Sequence, residues 1–172
     1  METIKAILTR RSIRKYTSEP VTPATINRLL KAAMSAPSAG GERPWHFIVV
    51  DDRELLDRVP EFHPYAAMMP QAQVAIVICG DSTVGKIADF WVQDCCAAAE
   101  NLLLAIHAKG LGGVWLGVYP LESRMEGASK LLRLPPNIVP LCIIPIGYPA
   151  EIKTVKDRFD PEKVHHNGWE LP

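Results

Sequence analysis

"CCAAAENLLLAIHAKGLGGVWLGV" (residues 95–118) is the stretch whose reading decides the fold. Residues 95–109 hold no proline or glycine and are rich in alanine and leucine, so a helix runs from about Ile87 to Lys109. Gly110 follows as the residue that ends it, since glycine accepts the left-handed conformation of a helix terminus. "GVWLGV" (113–118) then takes up strand composition. The helix is apolar nearly all round through "CCAAA" and "LLLAI", and such a helix needs cover on every side. In a chain of 172 residues that requirement points to a partner subunit.

Towards the N-terminus, "VAIVICG" (74–80) is apolar at successive positions and reads as a central strand covered on both faces. "WHFIVV" (45–50) is a second strand, followed by a short helix through Val59 capped by Asp51 or Asp52. "VTPATINRLLKAAMSAP" (21–37) is a helix with Thr22 as its cap and Pro23 in its first turn. Ile26, Leu29, Leu30, Ala33 and Met34 form its buried stripe, and Pro37 stops it. Residues 2–9 make a short helix with Ile4, Ile7 and Leu8 on one face, while 61–73 reads as loop with one helical turn. Towards the C-terminus, "LESRMEGASKLLR" (121–133) is a helix and "IVPLCIIPIGY" (138–148) a strand. Pro140 and Pro145 assign that strand to a sheet edge or to a bulge. The tail from about 150 to 172 has neither periodicity, yet holds Phe159, Val164 and Trp169 as apolar anchors for docking on another surface. Without repeats or linkers, residues 1–172 read as one domain.

Composition removes several function classes. Nineteen basic and nineteen acidic residues cancel, so no net field favours nucleic acid or an anionic membrane. The longest apolar segment is interrupted by Glu100 and Asn101 and is too short to span a bilayer. Cys79, Cys95, Cys96 and Cys142 lack metal or redox spacing and read as core thiols in a reducing, cytoplasmic setting. His165 and His166 have no convergent ligands beside them, so no metal site is expected. His46 and His107 read as packing histidines.

Four clusters remain. "RRSIRK" (10–15), on a helical turn, sets Arg10 and Arg14 on one face and Arg11 and Lys15 on the next. Guanidinium forks match phosphate and Ser12 adds a hydroxyl, though this cluster alone favours a solvated basic turn. "PSAGGERPW" (37–45) is a loop of small residues that lets main chain approach a planar ligand, or a plain connection. "GLGGVWLGVYP" (110–120) lacks the spacing of a dinucleotide cradle, and Gly117 sits inside its strand. Lys156 and Arg158, if extended, point the same way.

Taken in order, these segments resemble the nitroreductase family of FMN-dependent oxidoreductases. "RRSIRKY" resembles that family's phosphate-binding opening, and "APSAGGERPWHFIVV" its loop before the first strand. "AAAENLLLAIHAKGLGGVWLG" resembles its central helix and glycine-rich strand, and "KDRFDPEKVHHNGW" its tail. The resemblance spans nearly the whole chain. It implies an α+β fold, with a central mixed or antiparallel sheet flanked by helices, forming an intertwined homodimer with FMN at the subunit interface. Carried over by motif, Arg10, Arg11, Ser12 and Arg14 would hold the FMN phosphate, ribityl chain and pyrimidine edge, and Lys156 and Arg158 would close on the phosphate. Pro37, Ser38 and Ala39 would come from the other subunit, and Trp115, Leu116 and Gly117 would line the ring. Gly41 and Arg43 stand where the family carries Asn and Gln, which leaves Arg43 to reach the flavin's carbonyl edge.

The resemblance implies an enzyme in which NADH or NADPH reduces the flavin and a small electron-poor acceptor, nitroaromatic or quinone-like, then reoxidises it in a ping-pong cycle. The cofactor carries the chemistry, so no catalytic residue is expected on the protein. Phe62, His63, Tyr65 and Met68 are assigned to the acceptor rim. A dehalogenating or flavin-modifying relative, and a flavin-binding sensor or carrier, are the alternative readings.

Overall fold

The structure is a computed structural model that describes residues 1–84 and 90–169. Its helices are α1 (Thr3–Thr9), α2 (Pro23–Met34), α3 (Arg53–Arg58), α4 (Phe90–Ala108) and α5 (Glu122–Leu132). Its strands are β1 (Trp45–Val50), β2 (Val74–Asp81), β3 (Gly112–Gly113), β4 (Leu116–Gly117) and β5 (Ile138–Gly147). The expected start of α4 at residues 87–89 lies outside the described residues. Every strand pairing is antiparallel, in the order β1-β2-β5-β3, with β4 also on β5.

The sheet divides the core by the two-residue period of its central strands. Val74, Ile76 and Ile78 of β2, with Cys142, Ile144 and Ile146 of β5, face α2 and α4. Ala75, Val77 and Cys79, with Ile143, face the opposite layer, which holds α3, α5 and the turns at 59–61 and 69–71. Apolar residues at every position of β2 are thus explained: both its faces are covered.

Of the two positions expected for β5, an edge or a bulge, the structure shows the bulge: the strand lies between β2 and the pair β3 and β4. Pro140 adjoins a bulge at Leu141, whose carbonyl accepts N–H bonds from both Val118 (3.0 Å) and Tyr119 (3.1 Å). Pro145 falls where the ladder to the glycine-rich strand is open. The strand expected at 113–118 breaks into β3 and β4, and the break faces the span between Ile146 and Ile143. A proline has no N–H to offer there.

α4 ends as expected. Gly110 has φ +76°, its N–H bonds to the carbonyl of His107, and Leu111 bonds to that of Ile106, which is the paired closure of a glycine-capped helix. α2, α1 and the sheet cover most of α4 within one chain, leaving Phe90, Gln93, Glu100 and Ala108 exposed and Cys96, Ala97 and Leu104 among its half-buried residues. The thiols of Cys79 and Cys95 are buried, and burial pushes each up to about 12, so both stay protonated. His107 donates from Nε2 to the Thr9 hydroxyl (2.8 Å), which in turn donates to the carbonyl of Lys5 (2.6 Å). His46, by contrast, is exposed on β1 rather than packed. Among the described residues no helix is long and apolar enough to cross a membrane, and no group of three or more His, Cys, Asp or Glu forms a metal-binding cluster.

Candidate functional site

The basic cluster after α1 is not helical. α1 ends at Thr9, Arg10 takes extended geometry (φ −56°, ψ 132°), and the chain through Tyr16 runs along the end of the sheet. The reason lies in two glycines. A side chain at Gly112 would stand 2.7 Å from Ile13, and one at Gly147 would stand 3.0 Å from Tyr16. Main chain approaches main chain there, and the N–H of Ile13 reaches the carbonyl of Gly113 at 3.0 Å. A helical turn cannot make that contact, so the sheet edge overrides the helical spacing of the arginines.

Extended geometry separates their roles. Arg10 pairs with Glu100 on α4 at 3.6 Å. Arg11 turns back on the main chain: its guanidinium donates to the carbonyls of Thr154 (3.3 Å) and Lys156 (3.1 Å), and to those of Leu8 and Arg10. Arg11 therefore straps the tail to the N-terminal segment. Arg14 anchors through its N–H to Glu151 (2.6 Å), leaving its side chain exposed.

The strap brings the two ends of the chain together around a cleft of about 560 Å³ lined by Arg11, Ser12, Arg14, Lys153, Lys156 and Arg158, with Asp157 as its acid. Lys153 is paired to Glu151 at 2.7 Å, and Asp157 accepts the N–H of Phe159. Arg14, Lys156 and Arg158 have no ion-pair partner among the described residues. Such a set of cations suits an anion with several acceptor oxygens.

Arg14 also lines a second cleft, of about 470 Å³, with Trp115, Leu116, Gly117, His63 and Tyr65. The position of Gly117 is open: a Cβ there would meet only Trp115, at 3.8 Å. His63 is fully buried and donates from Nε2 to the carbonyl of Gly117 (2.9 Å), while Nδ1 accepts the N–H of Tyr65 at 3.3 Å. Both ring nitrogens are thus committed with the imidazole neutral, and burial, with the charge of Arg124 beside it, holds its pKa below the ordinary value. Arg124 of α5 donates to the same carbonyl at 2.8 Å and lies over the Tyr65 ring, 5.5 Å from its centre. Nothing in the pattern of α5 marked Arg124 out, except that a cation in a helix's first turn opposes the helix dipole.

Of the four residues assigned to the acceptor rim, His63 and Tyr65 line this cleft. The other two do not. Met68 is buried in the core layer beneath the sheet, and Phe62 packs against Gly127 of α5, because the turns at 59–61 and 69–71 direct them inward.

The loop carrying Pro37, Ser38, Ala39, Gly41 and Arg43 lies elsewhere. The buried carboxylate of Asp94, in the first turns of α4, accepts the N–H of Ala39 at 3.0 Å. Gly40, Gly41 and Arg43 have positive φ, and Ser38 Oγ accepts the N–H of Arg43. Thr9, beside the basic segment, meets α4 at His107 instead. At 1.5 Å rise per residue, Asp94 and His107 are about 20 Å apart along the helix. No residue of the loop lines either cleft.

The chain is similar over most of its length to known proteins. The sequence model described as the nitroreductase family matches residues 7–63 and 62–148. A protein of Methanothermobacter thermautotrophicus, named for NADH dehydrogenase or NAD(P)H nitroreductase activity, is 53% identical over 98% of this chain and 88% of its own. A Bacillus subtilis protein named FMN reductase [NAD(P)H] is 30% identical over 96% of this chain and 73% of its own. The structure of an FMN-dependent nitroreductase from Clostridium difficile superposes with a TM-score of 0.89 at 34% identity, over 96% of this chain and 99% of the other.

Proposed function

Since the chain belongs to the nitroreductase family, we propose that it is an FMN-dependent oxidoreductase that draws on NADH or NADPH and reduces a small electron-poor acceptor. The observation that carries this reading is the position of Arg14, which lines both the cationic cleft and the cleft at Trp115–Gly117. A phosphate monoester joined to a flat ring system needs that pairing of surfaces, and the open face at Gly117 leaves room for the ring.

Lys156, Arg158, Arg14 and Ser12 would hold the FMN phosphate and chain, with Arg11 fixing the tail that carries the first two. Trp115, Leu116 and Gly117 would flank the ring. When bound, FMN supplies the hydride chemistry, taking a hydride from the nicotinamide and passing it to the acceptor. The protein's part is to orient both reactants in one cleft, in turn, and to keep its own groups fixed. His63 and Arg124 do so by clamping the Gly117 carbonyl from two sides.

A second copy of the chain completes the site in this reading. The loop at 37–43 lines neither cleft of its own chain, so in this reading it serves the partner's. Exposed apolar side chains on α1 (Ile4, Leu8) and on the tail (Phe159, Trp169) supply a surface for the second copy to cover. Arg43 is exposed in one chain, as a residue reaching across an interface must be.

The test is the visible spectrum of the purified protein followed by anaerobic addition of each nicotinamide. A yellow protein that bleaches within seconds supports the reductase. One that stays oxidised moves the assignment to a flavin sensor or carrier, and one that cannot be loaded with FMN overturns both. Light scattering reads the dimer independently.

A further inference from the structure

The cleft at Trp115–Gly117 carries a charge pattern that hydride transfer does not require. Two guanidiniums, Arg14 and Arg124, line it, and no acidic side chain does. Arg14 is taken up by the cofactor in the reading above. Arg124 is not. Its side chain is half-buried, forms no ion pair among the described residues, and spends one N–H on the carbonyl of Gly117. A guanidinium has five N–H donors, so most of its fork remains for a ligand. His63 beside it is held neutral chiefly by burial, with the Arg124 charge a smaller cause, and no carboxylate lines the cleft to compensate the guanidinium. Tyr65, 69% exposed, has its ring beneath the guanidinium, and both line the cleft. An arginine in the first turn of α5 also works against the helix dipole, a cost that an anionic ligand would offset.

We infer that Arg124, seated on Tyr65, is an anion-recognition group that selects acceptors bearing a carboxylate on a single flat ring. The inference rests on the reductase reading for the word acceptor, but the recognition itself does not require turnover. The cleft of about 470 Å³ would be shared with the flavin ring, which limits the acceptor to a small, flat ring stacked on it. The carboxylate would take a two-pronged bond from the guanidinium, and the ring would lie towards Trp115 and Gly117.

The experiment compares 4-nitrobenzoate with 4-nitrobenzamide, which share size and ring but differ in charge. Calorimetric titration is run with FMN-saturated and with FMN-free protein, so that a protein unable to turn over still reports its preference. The wild type is expected to bind the carboxylate at least about tenfold more tightly than the amide, the weight of one charge-assisted hydrogen bond, and to lose that margin as salt is raised. Arg124→Gln keeps an N–H donor for the Gly117 carbonyl but removes the charge. It is expected to abolish the margin while moving the amide's affinity far less, and Arg124→Lys to restore part of it. Equal affinities in the wild type, or a margin that survives in Arg124→Gln, overturns the inference. So does a variant that weakens both ligands alike, which is the mark of a structural role. If Arg124→Gln instead raises the KM for NADPH and leaves the acceptor margin intact, the guanidinium serves a donor phosphate and the inference is also overturned. Failure of the reductase reading shows separately, as flavin that neither nicotinamide reduces.

Discussion

The Nε2 nitrogen of His63 lies 2.9 Å from the carbonyl oxygen of Gly117, joining the turn-rich segment before β2 to the short strand β4. Nδ1 of the same ring accepts the N–H of Tyr65, so the imidazole does two jobs only while it is neutral. Protonation would place a donor against a donor and a charge beside Arg124.

A pH dependence follows with a definite sign. Burial holds the folded pKa of His63 below the ordinary histidine value of 6.5, so the unfolded chain binds its proton first as pH falls. Its contribution leaves stability intact above about pH 6.5 and subtracts from it below. His63→Gln retains an N–H donor for Gly117 without the titration. Melting temperatures between about pH 5 and pH 7.5 should drop more steeply in the wild type than in the variant; parallel curves would show that His63 contributes nothing to the slope.

Two glycine-to-alanine changes should separate stability from cofactor affinity. At Gly127, within α5, alanine normally favours a helix, but its Cβ would stand 2.4 Å from the Cβ and Cγ of Phe62. Gly127→Ala is expected to cost about 1–3 kcal/mol, the scale of core overpacking, with FMN affinity little changed. Gly112→Ala presses on Ile13 at 2.7 Å and displaces the segment carrying Ser12 and Arg14. It should lower FMN affinity as well as the melting temperature, and fluorescence titration with FMN distinguishes the pair.

Arg11 is the strap for the tail, and lysine cannot imitate it. A guanidinium reaches the carbonyls of Thr154 and Lys156 together; an ammonium on a flexible stem keeps the charge and loses the fork. Arg11→Lys should therefore weaken FMN binding several-fold and speed proteolysis within residues 152–160. Unchanged proteolysis would mean that other contacts hold the tail.

Asp94 fixes the loop that the partner's site is proposed to use. Asp94→Ala leaves the Ala39 N–H without its acceptor, at a cost of about 1–3 kcal/mol. Asp94→Asn retains an acceptor oxygen and should recover most of that loss. If the loop serves the second subunit, FMN affinity falls in Asp94→Ala although Asp94 lines neither cleft of its own chain.

Much of the architecture was legible because periodicity and punctuation report local geometry directly. The continuous apolar run of β2 showed a strand covered on both faces, and Gly110 marked the end of α4. Errors arose wherever a distant partner decided the outcome. The arginines at 10–14 have helical spacing, but the cleared surface at Gly112 and Gly147 draws that segment along the sheet. The prolines of β5 allowed an edge or a bulge, and only the register shows that a bulge and a gap absorb them. Met68 and Phe62 have the side chains of a binding rim, yet composition does not say which way a turn faces. Arg124 escaped notice because an arginine on an amphipathic helix is ordinary until its contact with Gly117 is seen.

The place of β5 has a consequence for synthesis. It is the last strand in the chain and joins β2 to β3 and β4, so residues emerging first have no complete sheet to enter. A nascent chain ending before residue 138 exposes one whole edge of β2, an apolar strand with unpaired main-chain groups. Closure waits on almost the whole polypeptide, a slow, long-range pairing rather than a stepwise accretion. Ribosome-bound fragments stopped in α5 should thus be the form in which this protein most needs a chaperone, and the addition of β5 the moment at which that need ends.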